Sequence, residues 1–227
     1  MSPRPSLAAV VPTLDEAPRV GALVASLLAA CDAVVVSDGG SRDDTVARAR
    51  AAGAVVVQGS PGRGAQLARG AAAIDSDLVW FVHADSRVAP GAGGAVRAAS
   101  LEAPFGCCAV RIDSADARLR LTARLMNRRA RRTGVSSGDM GQWFHRSLLD
   151  RIGGVPDLEA FEDLVLADRA RAVAPWAVAP AWIETSARRW DQEGIPRTIA
   201  RMWALRVGYR LGVPPRRLAR AYRSRPR

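Results

Sequence analysis

The chain has 227 residues, 48% of them hydrophobic and 24% charged, which suits a soluble globular protein of one large domain or two small ones and excludes collagen-like, coiled-coil and wholly disordered designs. Its formal charge is +11, and all 33 basic residues are arginine. That charge is uneven: residues 111–132 hold eight arginines against Asp113 and Asp116, residues 188–227 hold twelve against Asp191 and Glu193, and the rest is net acidic, so the chain is not a uniformly basic polyanion binder.

Along the chain, Leu7–Val11 reads as a short buried strand ending at Pro12, and Ala17–Ala30 follows with helical spacing through Val20, Leu23, Val24 and Leu27. Ala33–Val36 is a second strand, closed by Ser37-Asp38-Gly39-Gly40. Ser41, Asp43 and Asp44 then supply cap chemistry for a helix over Thr45–Ala52. A third strand at Val55–Val57 leads through a loop at Gly59–Gly64 into a helix reaching about Ile74. A fourth at Leu78–Val82 runs directly into His83-Ala84-Asp85-Ser86. This alternation predicts an α/β fold with a mostly parallel central sheet and helices on both faces, whose ligands bind at the carboxyl ends of the strands.

Beyond residue 100 the spacing lengthens. We expect a strand near Phe105–Ile112, an arginine-rich helix, a turn at Gly134–Gly138, a strand near Met140–Phe144, a helix around Glu162–Ala172 and another over Ile195–Val213. Adjacent Cys107 and Cys108 would point to opposite faces of a strand, so the three cysteines make a poor disulfide set and a reducing, cytoplasmic compartment is expected. No apolar run reaches the ~18 residues of a membrane span, and the start does not read as a signal peptide.

The loop after the first strand, Pro12-Thr13-Leu14-Asp15-Glu16, has no glycine, so an aspartate ending the second strand is not enough for a dinucleotide fold. With no lysine in the chain there is no P-loop. Taken together, Pro12-Thr13-Leu14-Asp15-Glu16, Val36-Ser37-Asp38-Gly39-Gly40-Ser41 with Asp44-Thr45, Gly62-Arg63-Gly64, the aspartate motif after the fourth strand, Glu162-Asp163 and Ser186-Ala187-Arg188-Arg189-Trp190 resemble glycosyltransferase family 2, an inverting family of GT-A fold. The resemblance runs over roughly residues 7–190. Its His-Ala-Asp and Ser-Ala-Arg-Arg-Trp segments are similar to a bacterial subgroup labelled arsenosugar-biosynthesis glycosyltransferases.

The resemblance implies transfer of a sugar from a nucleotide-diphosphate sugar, UDP or GDP, to an acceptor hydroxyl. Pro12, Thr13, Leu14 and Glu16 would hold the nucleoside, Asp38 would accept from the base, and Arg63 would sit near the diphosphate or the base. Asp85 would bind a divalent cation, magnesium or manganese, although His83 stands where the family has another aspartate. Asp163 would be the catalytic base, and Asp139, Gln142, Trp143, Glu162, Arg189 and Trp190 would line the acceptor site. Arg189-Trp190 also matches the end of a motif of processive synthases, but Ser186 replaces its glutamine and no membrane channel is encoded.

Residues 1–190 are expected to form the transferase domain and 191–227 an arginine-rich helical extension packed on it. In the tail, Arg206 and Arg210 fall among the apolar positions, so we expect a helix packed on the body, its arginines pairing with acids, with the phosphates of an anionic membrane at the inner face, or with an anionic acceptor. Two rivals predict otherwise: a non-catalytic basic module for nucleic acid or membrane leaves Asp38, Asp85 and Asp163 idle, and a sugar nucleotidyltransferase normally opens with a glycine-rich basic loop. Nucleic acid is not an expected partner.

Overall fold

The computed structural model describes residues 4–158 and 160–223. Of the expected division at residue 190, residues 1–3, Glu159 and 224–227 lie outside the described residues. The first half follows the predicted order: β1 (Leu7–Thr13), α1 (Ala17–Leu28), β2 (Ala33–Asp38), α2 (Thr45–Ala51), β3 (Val55–Gln58), α3 (Arg63–Ala72) and β4 (Leu78–Phe81). Then come β5 (Ser86–Val88), α4 (Ala92–Ser100), β6 (Phe105–Asp113), α5 (Ala117–Thr133), a single 3-10 turn at Gly138–Met140, β7 (Trp143–His145), α6 (Arg146–Arg151), α7 (Glu162–Arg171) and β8 (Ala177–Ser186). The chain continues into α8 (Arg188–Glu193), α9 (Ile195–Arg210) and α10 (Pro215–Arg223).

The strands form one eight-stranded sheet in the order β3-β2-β1-β4-β7-β6-β8-β5. β1 lies parallel between β2 and β4, and β3 extends that parallel half. β7 runs antiparallel to both β4 and β6, β8 is parallel to β6, and β5 closes the far edge antiparallel to β8. The α/β architecture therefore matches the expectation, with a mixed sheet beyond β4.

Side chains alternate across the sheet as strand geometry requires. Leu7, Ala9 and Val11 of β1 and Trp80 of β4 meet Val20, Leu23, Val24 and Leu27 of α1 and Val96 of α4 on one face. Val10, Val79 and Phe81 meet Leu67 of α3, Leu148 and Leu149 of α6 and Leu166 of α7 on the other. Cys107 and Cys108 do part to opposite faces, and all three cysteines are free and buried. A third cluster joins β6 to Leu119, Ala123, Met126 and Ala130 of α5, with Trp190 of α8 and Ile195, Ile199 and Met202 of α9 against it.

The strand expected near Met140–Phe144 begins later. The 3-10 turn and a left-handed Gly141 (φ 58°) come first, and β7 starts at Trp143. Because β7 is antiparallel to β4, with Trp80 opposite Trp143 and the Phe81 amide donating to the Gln142 carbonyl at 2.8 Å, this turn is delivered to the carboxyl end of β4.

Candidate active site

Three loops meet above the carboxyl ends of β1, β2 and β4. The first two are laced together: the Asp15 amide donates to Ser41 Oγ at 2.9 Å, the Glu16 amide to Thr45 Oγ1 at 2.8 Å, and the Arg42 amide to Asp15 Oδ1 at 2.8 Å. Gln66 of α3 ties both strand ends together, its amide nitrogen donating to the carbonyls of Thr13 (2.8 Å) and Ser37 (3.0 Å). Gln66 was not singled out from sequence, because a lone glutamine inside a helix carries no pattern.

Asp38 is fully buried. Its Oδ1 accepts from the hydroxyls of Thr13 and Ser41, and its Oδ2 from the amides of Gly40 and Ser41, each at 2.9 Å. Burial raises this carboxyl, but the donors of Ser41, Gly40 and Thr13 outweigh it and leave the pKa below the usual range. A carboxylate has about four lone-pair positions. All four are taken, so a base N–H reaches Asp38 only in exchange for a donor such as the Ser41 hydroxyl.

Glu16 is half-buried between Arg19 (3.5 Å) and Arg188 (3.7 Å), which brings the start of α8 against the first loop. Burial pushes its carboxyl up, and Asp85 lies near enough to add to that rise. Arg189 faces Arg63, Glu193 and Asp85.

The acids of α7 stand opposite. Glu162 is wholly buried and pairs with Arg63 at 3.4 Å. Burial, opposed by Arg63 and reinforced by Asp163, lifts its carboxyl to about 7. Asp163 is half-buried and held through both oxygens: the Gly138 amide donates to Oδ2 at 2.7 Å and the Leu164 amide to Oδ1 at 2.8 Å. Gln142, buried, donates to the Asp163 carbonyl at 3.0 Å and to Ser136 Oγ at 2.9 Å. A Cβ on Gly138 would lie 2.6 Å from His83 Nε2, so His83, Gly138 and Asp163 are packed together. Burial, with Arg63 and Arg189 nearby, lowers His83 to about 3, so its imidazole is neutral.

Oδ1 of Asp139 and Oε2 of Glu162 are buried without a hydrogen-bond partner. Among the described residues, the only non-glycine positions with positive φ are Asp15 (55°) and Phe161 (70°), in the first loop and immediately before Glu162. Left-handed backbone at such residues costs about 1–3 kcal/mol and concentrates at functional sites.

Four expected acceptor residues are not on an accessible surface, the first being Glu162, 0% exposed and paired with Arg63. Trp143 is 0% exposed and packs in the sheet core against Gly106, so it offers no face to a sugar. Trp190, 9% exposed, belongs to the α5–β6 cluster against which Ile195, Ile199 and Met202 of α9 pack. Gln142 spends its amide on Ser136 and on the Asp163 backbone, which makes it a support for the site.

Among the described residues no three His, Cys, Asp or Glu side chains converge as a metal cage. Asp85, half-exposed at the end of β4 with Glu16 and Asp139 within electrostatic reach, fits an ion that takes most of its oxygen ligands from a bound diphosphate.

The fold gathers these acids and arginines at the carboxyl ends of the strands, where sheets of this kind bind ligands. The family model described as glycosyl transferase family 2 matches residues 8–152, and the chain belongs to that family. It is 39% identical over 93 residues to a glucosyl-3-phosphoglycerate synthase of Mycolicibacterium paratuberculosis (strain ATCC BAA-968 / K-10), a match that covers 35% of this chain and 28% of the relative. In fold it is similar to a mannosyltransferase from Pyrobaculum calidifontis in complex with GDP-Man and Mn2+ (TM-score 0.65, 20% identity, 91% of this chain and 62% of that one). It is also similar to glucosyl-3-phosphoglycerate synthase from Mycobacterium tuberculosis in complex with Mg2+ and UDP (TM-score 0.55, 23% identity, 80% and 70%).

Proposed function

We propose that this chain transfers a sugar, with inversion, from a nucleotide-diphosphate sugar to an acceptor hydroxyl. The observation that carries this reading is Asp163, held through both oxygens at the mouth of the parallel half of the sheet and flanked by His83 and by the pair of half-buried Arg63 and buried Glu162. Each Asp163 oxygen keeps a lone pair beyond its amide bond. Asp163 takes the proton of the acceptor hydroxyl as that oxygen bonds to the anomeric carbon, and the anomeric C–O bond breaks with its electrons going to the nucleotide diphosphate. Asp139, half-buried beside Asp163, lines the acceptor side, while Glu162, wholly buried, shapes it from beneath through Arg63 and Asp163.

On the donor side, Pro12, Thr13, Leu14 and Glu16 hold the nucleoside, and Asp38 reaches the base when Ser41 gives up its bond. Arg63 and Arg189 face the diphosphate. Asp85 would hold magnesium or manganese together with that diphosphate; such an ion neutralises charge on the departing nucleotide. The relatives crystallised with GDP-Man and Mn2+, and with UDP and Mg2+, support both donor classes and the cation. The loop Pro12–Glu16 does not suit a nucleotidyltransferase, and family membership sets aside the non-catalytic module.

Residues 1–190 are taken as the catalytic unit and 191–227 as its extension, a cytoplasmic setting belongs to the same reading, and the arsenosugar subgroup contributes no substrate to it. The test is thermal stabilisation by UDP, GDP and their sugars with and without manganese. One nucleotide class should raise the midpoint, and more so with metal; no stabilisation by any of them contradicts the reading.

A further inference from the structure

The apolar residues of α9 divide into two stripes. Thr198, buried, and Ile195, Ile199 and Met202, partly buried, face the α5–β6 cluster. On the opposite side, at 100° per residue, Ala200, Trp203, Ala204, Val207 and Leu211 fall within an arc of about 100°. All five are exposed, Trp203 at 67%, Val207 at 48% and Leu211 at 78%. No polar side chain interrupts this outer stripe. Arg210 borders one side of it and Arg197 the other; next to Arg197, Arg201 pairs with Glu193 at 2.8 Å, and Arg206 lies on the inner side between Ile195 and Ile199. Of the two arginines that fall among the apolar positions, Arg210 is a border between the two apolar faces, while Arg206 stays on the inner one.

The surroundings share this chemistry. From Ile195 to Arg223 there are eight arginines and no acid. α10 folds back so that Leu218 approaches Gly208 of α9, leaving Arg216, Arg217 and Arg220 exposed. α5, which packs on the same cluster, exposes Leu121 (55%) and Leu125 (54%) beside Arg124, Arg128 and Arg132.

We propose that the outer face of α9 seats this protein on an anionic lipid surface, with the helix lying in the plane of the headgroups. An apolar stripe bordered on both sides by cations is the pattern of an interfacial helix, whose apolar side enters the acyl boundary while arginines reach outward to phosphates. Trp203 has the amphipathic ring that favours that boundary. Charge selects this occupant over the others. A second copy would bring arginine borders together with no carboxylate in the segment to pair them, and nucleic acid would leave the apolar stripe without a partner. Among the described residues no helix is long and apolar enough to cross a membrane, so the contact is peripheral. Tyr209, on the inner side of α9, lies within electrostatic reach of Asp168 of α7, so the lipid-facing helix lies near the helix that begins with Glu162 and Asp163.

The proposal does not depend on the transfer reaction, and neither does its test. The full chain is sedimented with phosphatidylcholine vesicles, with and without about a third phosphatidylglycerol, at low salt and at ~0.5 M salt. Trp203→Ser/Leu211→Ser is run beside it after its thermal midpoint is matched to the parent's, a match expected because both side chains are exposed. The account predicts pelleting with the anionic vesicles at low salt, at least about tenfold weaker binding to neutral vesicles or at high salt, and a similar loss in the double variant. Failure to pellet with anionic vesicles at low salt overturns it. So does undiminished binding by the double variant, because charge alone would then suffice. A vesicle-free dimer that the double variant dissolves would assign the face to a second copy and overturn it too.

Discussion

The amide of Gly138 donates to Oδ2 of Asp163 from 2.7 Å, across 25 positions of sequence. The turn that carries Gly138 hangs on β7, which pairs with β4, and Asp163 opens α7. The bond therefore joins the sheet's carboxyl end to the helix carrying both acids. His83 closes the third side, leaving no room for a Cβ on Gly138.

Gly138→Ala is expected to push His83 or Asp163 aside, at a cost of about 1–3 kcal/mol of stability and most of the activity. Combining it with His83→Ala removes the 2.6 Å contact. Chemical denaturation of the single and double variants should show a coupling of ~1 kcal/mol or more, and strict additivity would mean that the three residues do not share one packed space.

Glu162 sets a pH signature. Its carboxyl titrates near 7 in the folded chain, above the unfolded value of 4.5, so between those pH values the native state keeps a proton that the unfolded state has lost. Stability from this group is complete below about 4.5 and falls as pH rises through 7, by on the order of 3 kcal/mol in full. His83 has the opposite sign in the overlapping range from 6.5 down to about 3, so the comparison is between variant and parent. Glu162→Gln should flatten the decline between pH 4.5 and 7, as read by denaturation midpoints; parallel curves would remove the assignment.

Much of this site is legible in the chain. β1, β2 and β4 are buried apolar runs and β3 is an apolar edge strand, and each delivers its loop to the same end of the sheet because the strands are parallel. Other elements are hidden by local residues. β8 contains Pro180, tolerated because the strand bulges there: Cys108 opposes Ala179 and Ala109 opposes Trp182. α4 carries Gly93 and Gly94, poor helix formers that hide it, yet a Cβ at Gly93 would lie 1.9 Å from the Ala30 carbonyl oxygen, so close helix packing demands glycine. Trp143 and Trp190 illustrate a further limit. A tryptophan near a motif reads equally as a sugar platform or as core, and only the pairing of β7 and the docking of α9 decide for core. The two stripes of α9 are likewise invisible until one of them is seen against the α5–β6 cluster.

Metal binding should require nucleotide. With Asp85 as the one carboxylate suited to the ion and no three-ligand cage among the described residues, calorimetric titration of manganese into the nucleotide-free chain should show no site tighter than about millimolar. Adding the stabilising nucleotide should create one, and Asp85→Asn should weaken it by about tenfold or more. Tight manganese binding without nucleotide would contradict this assignment.

The assignment of Asp163 as base is tested most directly by Asp163→Asn, assayed for sugar transfer and, separately, for nucleotide-sugar binding by calorimetry. Asparagine keeps the shape and one oxygen acceptor but cannot take the proton. The account predicts transfer reduced by about 10²–10⁴-fold with donor affinity within a few-fold of the parent. Transfer at a rate close to the parent's would contradict it.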